Sequence, residues 1–162
     1  MAFDAFVQID GIEGESTDDK HAGWIEVTSF RNGLTQTVSS TASSAGGASA
    51  ERADFQDFSF TKQIDKASPK LALACADGTH ISKIKIELCR SGTDKVKFME
   101  YELTNCLISS VTVNGNGGEF PEESVTVDFG KVMWSYAQQK RQGGGVAGNV
   151  AAGWDLEKNC KI

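Results

Sequence analysis

Two histidines, His21 and His80, four cysteines, Cys75, Cys89, Cys106 and Cys160, and the carboxylates Glu13, Glu15, Asp18 and Asp19 are the residues of this chain with side chains suited to chemistry. Such residues could hold a metal, pair a thiol nucleophile with a histidine base, or line a calcium loop. Their spacing supports none of these. The cysteines form no C-x-x-C pair, and no His/Cys cluster has the intervals of a zinc site. The four carboxylates miss the EF-hand pattern and read as a solvated turn. There is no G-x-S-x-G elbow, no phosphate loop and no dinucleotide fingerprint. A catalytic triad is a geometric object that distant residues can assemble, but with two candidate bases the reading is a protein that is not an enzyme and uses no cofactor or metal. Three of the cysteines fall in apolar segments and read as reduced thiols packed as small hydrophobes. Trp24, Trp134 and Trp154 could form a sugar-stacking platform, yet each falls in a strand pattern where core or interface packing is the commoner use.

The elements around these residues have a period of two, which makes this a β protein. Phe3, Ala5, Val7 and Ile9 alternate with Asp4, Gln8 and Asp10, with Phe6 breaking the polar side. Ile25 and Val27 alternate with Glu26 and Thr28, and Ile84, Ile86 and Leu88 with Lys83, Lys85 and Glu87. A long strand is expected over 99–113 and its return over 124–136, joined by the turn Asn114-Gly115-Asn116-Gly117-Gly118. In the return strand Val125, Val127 and Phe129 lie on one face, but Val132, Trp134 and Tyr136 lie on the other. A one-residue slip flips every side chain, so Gly130 reads as a bulge or bend, or else the two halves face different partners. One short helix is expected, capped by Ser68, with Pro69 in its first turn and Gly78 at its end. A soft segment from Gly143 to Gly148 precedes a last strand around Val150 to Leu156.

Whole-chain totals narrow the options. The 162 residues are 40% hydrophobic and 23% charged, which fits one folded domain. A net charge of −6, with the basic residues scattered singly, argues against a nucleic-acid groove. No apolar run approaches the roughly 20 residues of a membrane helix. The opening MAFDAFVQIDG lacks the basic start and long apolar stretch of a signal peptide, so export would need another route. The stretch TVSSTASSAGGASAE, residues 37–51, has almost nothing to anchor in a core, and too few residues precede it for a separate domain. It must leave a single β domain and return to it, and a loop of this composition suits packing on a neighbour.

Several stretches together carry a family likeness. MAFDAFVQIDGIEGES with DDKHAGWIEV, DFSFTKQIDKASPKLALACADG, SSVTVNGNGGEFPEESVTVDFGKVMWSY and the terminal GWDLEKN resemble the Hcp family, the haemolysin-coregulated proteins of type VI secretion systems. The F-T-K-x-I-D-K-x-S-P-x-L arrangement is the most specific part, and the likeness runs in order over nearly the whole chain.

The resemblance implies an all-β, mainly antiparallel fold: a β-barrel-like domain of two sheets spanning 1–162, with one short α-helix and an extended loop at about 37–52. It implies homo-hexameric rings stacking into a tube, assembled in the bacterial cytoplasm. A contractile sheath drives such a tube outward behind a VgrG-like spike protein, and family members reach the outside or a target cell without a signal peptide. The ring lumen can carry effector proteins. The loop residues Thr41, Ser43, Ser44, Gly46, Gly47 and Ser49 would meet the neighbouring subunit, and Ser29 and Arg31 would face the lumen. Many relatives have Trp and Ser where this chain has Phe30 and Arg31, so Arg31 would make that wall more cationic. Two other readings compete: a phage-type tail-tube subunit, and a monomeric β domain that binds a small ligand or carbohydrate.

Overall fold

The computed structural model describes residues 2–37, 52–93, 95–140 and 146–162. Among these the elements run β1 (Phe3–Ile9), β2 (Ile25–Val27), β3 (Ser29–Arg31), β4 (Leu34–Thr35), β5 (Asp54–Phe55), β6 (Phe58–Gln63), α1 (Ser68–Asp77), β7 (Ile81–Arg90), β8 (Lys97–Asn114), β9 (Glu122–Gln139), β10 (Val146–Asp155) and β11 (Cys160–Lys161). The strands are antiparallel throughout. One sheet follows the path β11-β10-β9-β8-β7-β1-β2, with β6 added to β9 and β3 added to β6. The strands β4 and β5 form a separate two-stranded ribbon.

The main sheet is barrel-like without a closed ladder. β2 pairs with β1 and β3 pairs with β6, and only Thr28 separates them. Thr28 already donates its N–H to the Thr61 carbonyl at 2.8 Å. The chain therefore changes partner at one residue, and the circuit of neighbouring strands is completed by a peptide bond. One apolar core lies inside, with Val7, Ile25, Phe58, Phe60, Leu71, Ile84, Ile86, Leu103, Val125 and Val127 all essentially inaccessible.

The face change in β9 has a cause other than a bulge at Gly130. Phe129 pairs with Cys106 and Lys131 with Thr104, so the register passes through Gly130 without a slip. The slip in this hairpin lies between Ile108 and Ser110. What changes near Gly130 is the partner on the other side of the strand: β6 covers β9 as far as Val127, and β10 takes over from Lys131. Asn105, opposite Gly130, has φ 55°, and this left-handed residue turns the hairpin so that Phe129 and Val132 are both buried. The sequence offered a bulge or bend at Gly130, or different partners for the two halves; the hairpin bends there without a bulge, and the neighbouring strand changes at the same place.

The helix spans its expected residues and ends on Gly78 at φ 67°, where the glycine N–H bonds back to the Ala74 carbonyl. Its start differs: Ser68 is the first helical residue and caps nothing in the usual sense. Asp65 Oδ1 accepts from the Ala67 N–H at 2.9 Å, while Ser68 Oγ accepts from the Asp65 N–H at 3.1 Å and donates to Glu123 Oε2 at 2.7 Å. These bonds belong to a buried ionic knot. Lys62 Nζ, with no solvent exposure, donates to Glu123 Oε2 and Asp65 Oδ1 at 2.8 Å each, to the Gln63 carbonyl at 3.1 Å and to Ser68 Oγ at 3.2 Å. Phe58, Phe60 and Lys62 share the inward face of β6, so the motif F-T-K-x-I-D-K-x-S-P places one ammonium where β6, the helix start and β9 meet.

Candidate functional site

His21 is 2% exposed, although its sequence context is a polar turn. The segment 13–24 folds over the outer face of β1, which explains why Phe6 interrupts the polar side of that strand. The imidazole stacks on Phe6 at 4.2 Å and 3° and meets Trp24 edge-on at 4.8 Å. Its Nδ1 lies 2.6 Å from Asp18 Oδ2, and Nε2 lies 3.3 Å from Glu87 Oε1 and 3.8 Å from Cys89 Sγ. Cys89, His21 and Asp18 thus stand in the order nucleophile, base, orienting carboxylate.

The electrostatics oppose catalysis there. Burial, reinforced by the charges of Glu87, Asp18 and Asp4, pushes the Cys89 thiol up to about 11, the opposite of an activated nucleophile. The sulfur is also wholly buried. Hydrogen bonds from His21 and Lys95 hold Asp18 down at about 2, and the Lys95 ammonium sits 3.0 Å from Asp18 and 5.4 Å from the Phe6 ring centre. The constellation is a clasp that fixes the 13–24 segment to the sheet. Glu13, Glu15 and Asp19 remain solvent-exposed as expected, and Asp18 is the exception. Cys106 is likewise buried and held up to about 12 by desolvation and then by Asp128.

The residues singled out for assembly fare differently. Thr41, Ser43, Ser44, Gly46, Gly47 and Ser49 lie outside the described residues. Ser29 and Arg31 are exposed on one face of β3, while Phe30 between them turns inward, 6.0 Å from both Phe3 and Phe58 and 6.3 Å from Tyr101. The three tryptophans do not form one platform, because Trp24 packs on His21. Trp134 and Trp154 do come together, in a cleft of about 510 Å³ that Leu34, Gln36, Arg52, Ala53, Phe55 and Asn159 complete.

That cleft stands beside the described residues that flank segment 38–51. β4 and β5 bring the two ends of segment 36–53 side by side, pairing Leu34 with Phe55 and Thr35 with Asp54. Phe55 stacks on Trp134 at 6.4 Å and 15° and meets Phe129 edge-on. Arg52 Nη2 donates to the Leu156 carbonyl at 2.8 Å, tying the returning end to the chain beyond β10. With aromatic rings, a leucine and one guanidinium, the cleft offers apolar contact and charge pairing but no acid–base chemistry. Sequence reading missed Leu34, Arg52 and Phe55; their only signal is that they flank the low-complexity stretch.

A second feature is an open sheet edge. β11 covers β10 only at Trp154 and Asp155, and among the described residues no strand pairs with the outer side of Gly148–Ala152. Those residues are exposed, Val150 by 69%.

Comparison with known proteins gives one consistent answer. Residues 6–136 match the family model described as type VI secretion system effector, Hcp. Protein hcp1 of Pseudomonas aeruginosa is 37% identical over 163 aligned positions, covering 99% of both chains. A solved structure of a type six secretion system protein superposes with a TM-score of 0.92 at 33% identity, over 99% of this chain and 100% of that one. The crystal structure of Hcp1 from Salmonella typhimurium gives a TM-score of 0.81 at 32% identity, with both chains fully covered.

Proposed function

The chain belongs to the Hcp family of type VI secretion proteins and is a secretion tube protein; on that premise we propose that it acts as a single 1–162 unit assembling into hexameric rings that stack as the inner tube. The observation that carries this reading is the open edge of β10. A run of exposed backbone donors and acceptors, flanked by small uncharged side chains with no Lys or Pro to blunt it, is a template for pairing with another chain. In a closed ring each copy covers such an edge, and no edge remains. The extended loop at 37–52 reaches the neighbouring copy, while Ser29 and Arg31 line the lumen that carries effector proteins. A VgrG-like spike ahead of the tube and a contractile sheath around it complete the assembly.

Light scattering on a sizing column, with images of the same peak, tests the reading. The expected mass is about six times the 17.4 kDa of one chain, with an open centre in each particle. A monomer at high concentration would sink the ring reading. For the lumen assignment, Arg31→Glu should alter which effectors co-purify, and an unchanged set would remove Arg31 from the wall.

A further inference from the structure

Two unlike apolar features lie apart in the fold, one at the turn of the hairpin β8–β9 and one where Trp134 of β9 meets residues of β4, β5 and β10. At the hairpin turn Phe120 is 61% exposed and Val113 is 53% exposed. The turn is firmly built. Asn116 Oδ1 accepts from the Gly118 N–H at 3.1 Å, and the Pro121 carbonyl accepts from the Ile64 N–H at 3.2 Å. Glu123, two residues on, is locked to Lys62 at 2.8 Å. Phe120 is therefore a pre-set knob that loses little freedom on contact. The second feature is the cleft of Leu34, Phe55, Trp134 and Trp154.

The charges around the two features are opposite. Glu119 and Glu122, both exposed, flank Phe120 and Pro121. Arg52 lines the cleft, and Lys161 pairs with Trp154 beside it. Arg52 commits its Nη2 to the Leu156 carbonyl, and a guanidinium has further donors to offer. A knob cannot enter the cleft of its own chain: Trp134 stands twelve residues along β9 from Glu122, roughly 40 Å of strand at about 3.3 Å per residue, which the bend at Gly130 shortens without closing.

We propose that the hairpin turn of one copy seats Phe120 in the Leu34–Phe55–Trp134–Trp154 cleft of a second copy, with Glu119 and Glu122 facing Arg52 and Lys161, and that this is the head-to-tail contact between successive rings. The inference rests on the assembly reading above and supplies its axial contact. Knob and cleft are different surfaces of one chain, so the contact is heterologous and repeats without closing, as a tube requires.

The test uses the full chain carrying Cys160→Ser, which removes an exposed thiol. Leu34→Cys and Phe120→Cys are placed together in that chain, the assembled protein is oxidised, and products are separated under denaturing, non-reducing conditions. A ladder of covalent multiples is expected, absent when either cysteine is introduced alone. In parallel, Phe120→Ala should raise the concentration needed for stacking at least tenfold while single rings persist. Leu73→Ala, at an equally exposed leucine on α1, should change nothing. Reversing the knob with Glu119→Lys and Glu122→Lys should abolish stacking, and adding Arg52→Glu and Lys161→Glu to the same chain should restore it. A wild-type protein that stays monomeric overturns the assembly reading, and this contact with it. Rings that stack equally well in Phe120→Ala, with no ladder and no rescue, overturn the contact alone.

Discussion

Lys62 is the residue whose burial most needs an explanation, because an ammonium removed from water costs several kcal/mol unless its partners restore the lost solvation. Four acceptors within 3.2 Å do so, and the two carboxylates among them come from different elements. Removing one partner leaves the other charge buried. Lys62→Met is therefore expected to destabilise the fold by about 3–5 kcal/mol, whereas Lys62→Met with Glu123→Leu should recover most of that loss. Urea unfolding of the two variants and the parent decides it; equal losses would mean the ion pair is incidental. Asp18 gives a prediction in pH. Hydrogen bonds from His21 and then Lys95 lower its folded pKa to about 2 from the ordinary 3.8. The unfolded chain then binds a proton first, so the stabilisation is complete above about pH 4 and disappears as pH falls toward 2. Asp18→Asn should flatten that part of the stability–pH curve, read as urea midpoints between pH 5 and pH 2. An unchanged slope would show that the clasp around His21 contributes no acid sensitivity.

Elements with a clean period of two were the legible part of this fold. β1, β7, β8 and β9 appear where the alternation puts them, because one face of each lies on the core and the other meets water. β6 was obscured by its own third inward residue: a lysine in an apolar lane breaks the pattern unless its partners are known, and Glu123 lies 61 positions away. The same long-range partners took Ser68 away from the capping role that its position suggested. β10 begins earlier than expected, since Val146 to Gly148 is strand with a register shift, built from residues that read as a soft segment. Gly14 shows how tightly the 13–24 cover fits. A Cβ there would overlap the Trp24 carbonyl and approach the Ile25 backbone at 2.7 Å. Gly14→Ala should detach this cover, seen as faster amide exchange over 13–24 with the strand core still protected. Uniform protection in the variant would show that the segment can shift at no cost. The aromatic cleft was the least legible feature: Leu34 and Phe55 are single apolar residues on a two-residue ribbon, too short to show any period.

At the scale of the whole molecule, the main sheet curls round one core, yet among the described residues no strand pairs with the outer side of residues 148–152 of β10. A monomer with such an edge risks indiscriminate pairing, so an obligate neighbour is the stable solution. Val150→Lys places a charge in the middle of that edge without touching the core. It should yield folded monomers by light scattering, with unchanged far-ultraviolet dichroism and melting. Intact rings in that variant would move the subunit contact elsewhere. The chain agrees with its relatives over its full length, and no helix among the described residues is long and apolar enough to cross a membrane.

The two 18-residue strands β8 and β9 give the fold a direction. Ladder hydrogen bonds run across the strands. A thrust or pull applied between the hairpin turn and the far ends of the strands therefore runs along two covalent backbones in parallel, which the ladder holds side by side. A force applied at β11 acts instead as a peel, where two residue pairs and the Ile162 N–H bond to the Gly153 carbonyl hold this segment to β10. The fold is thus braced along the axis of the hairpin and more easily opened at the corner where β11 ends.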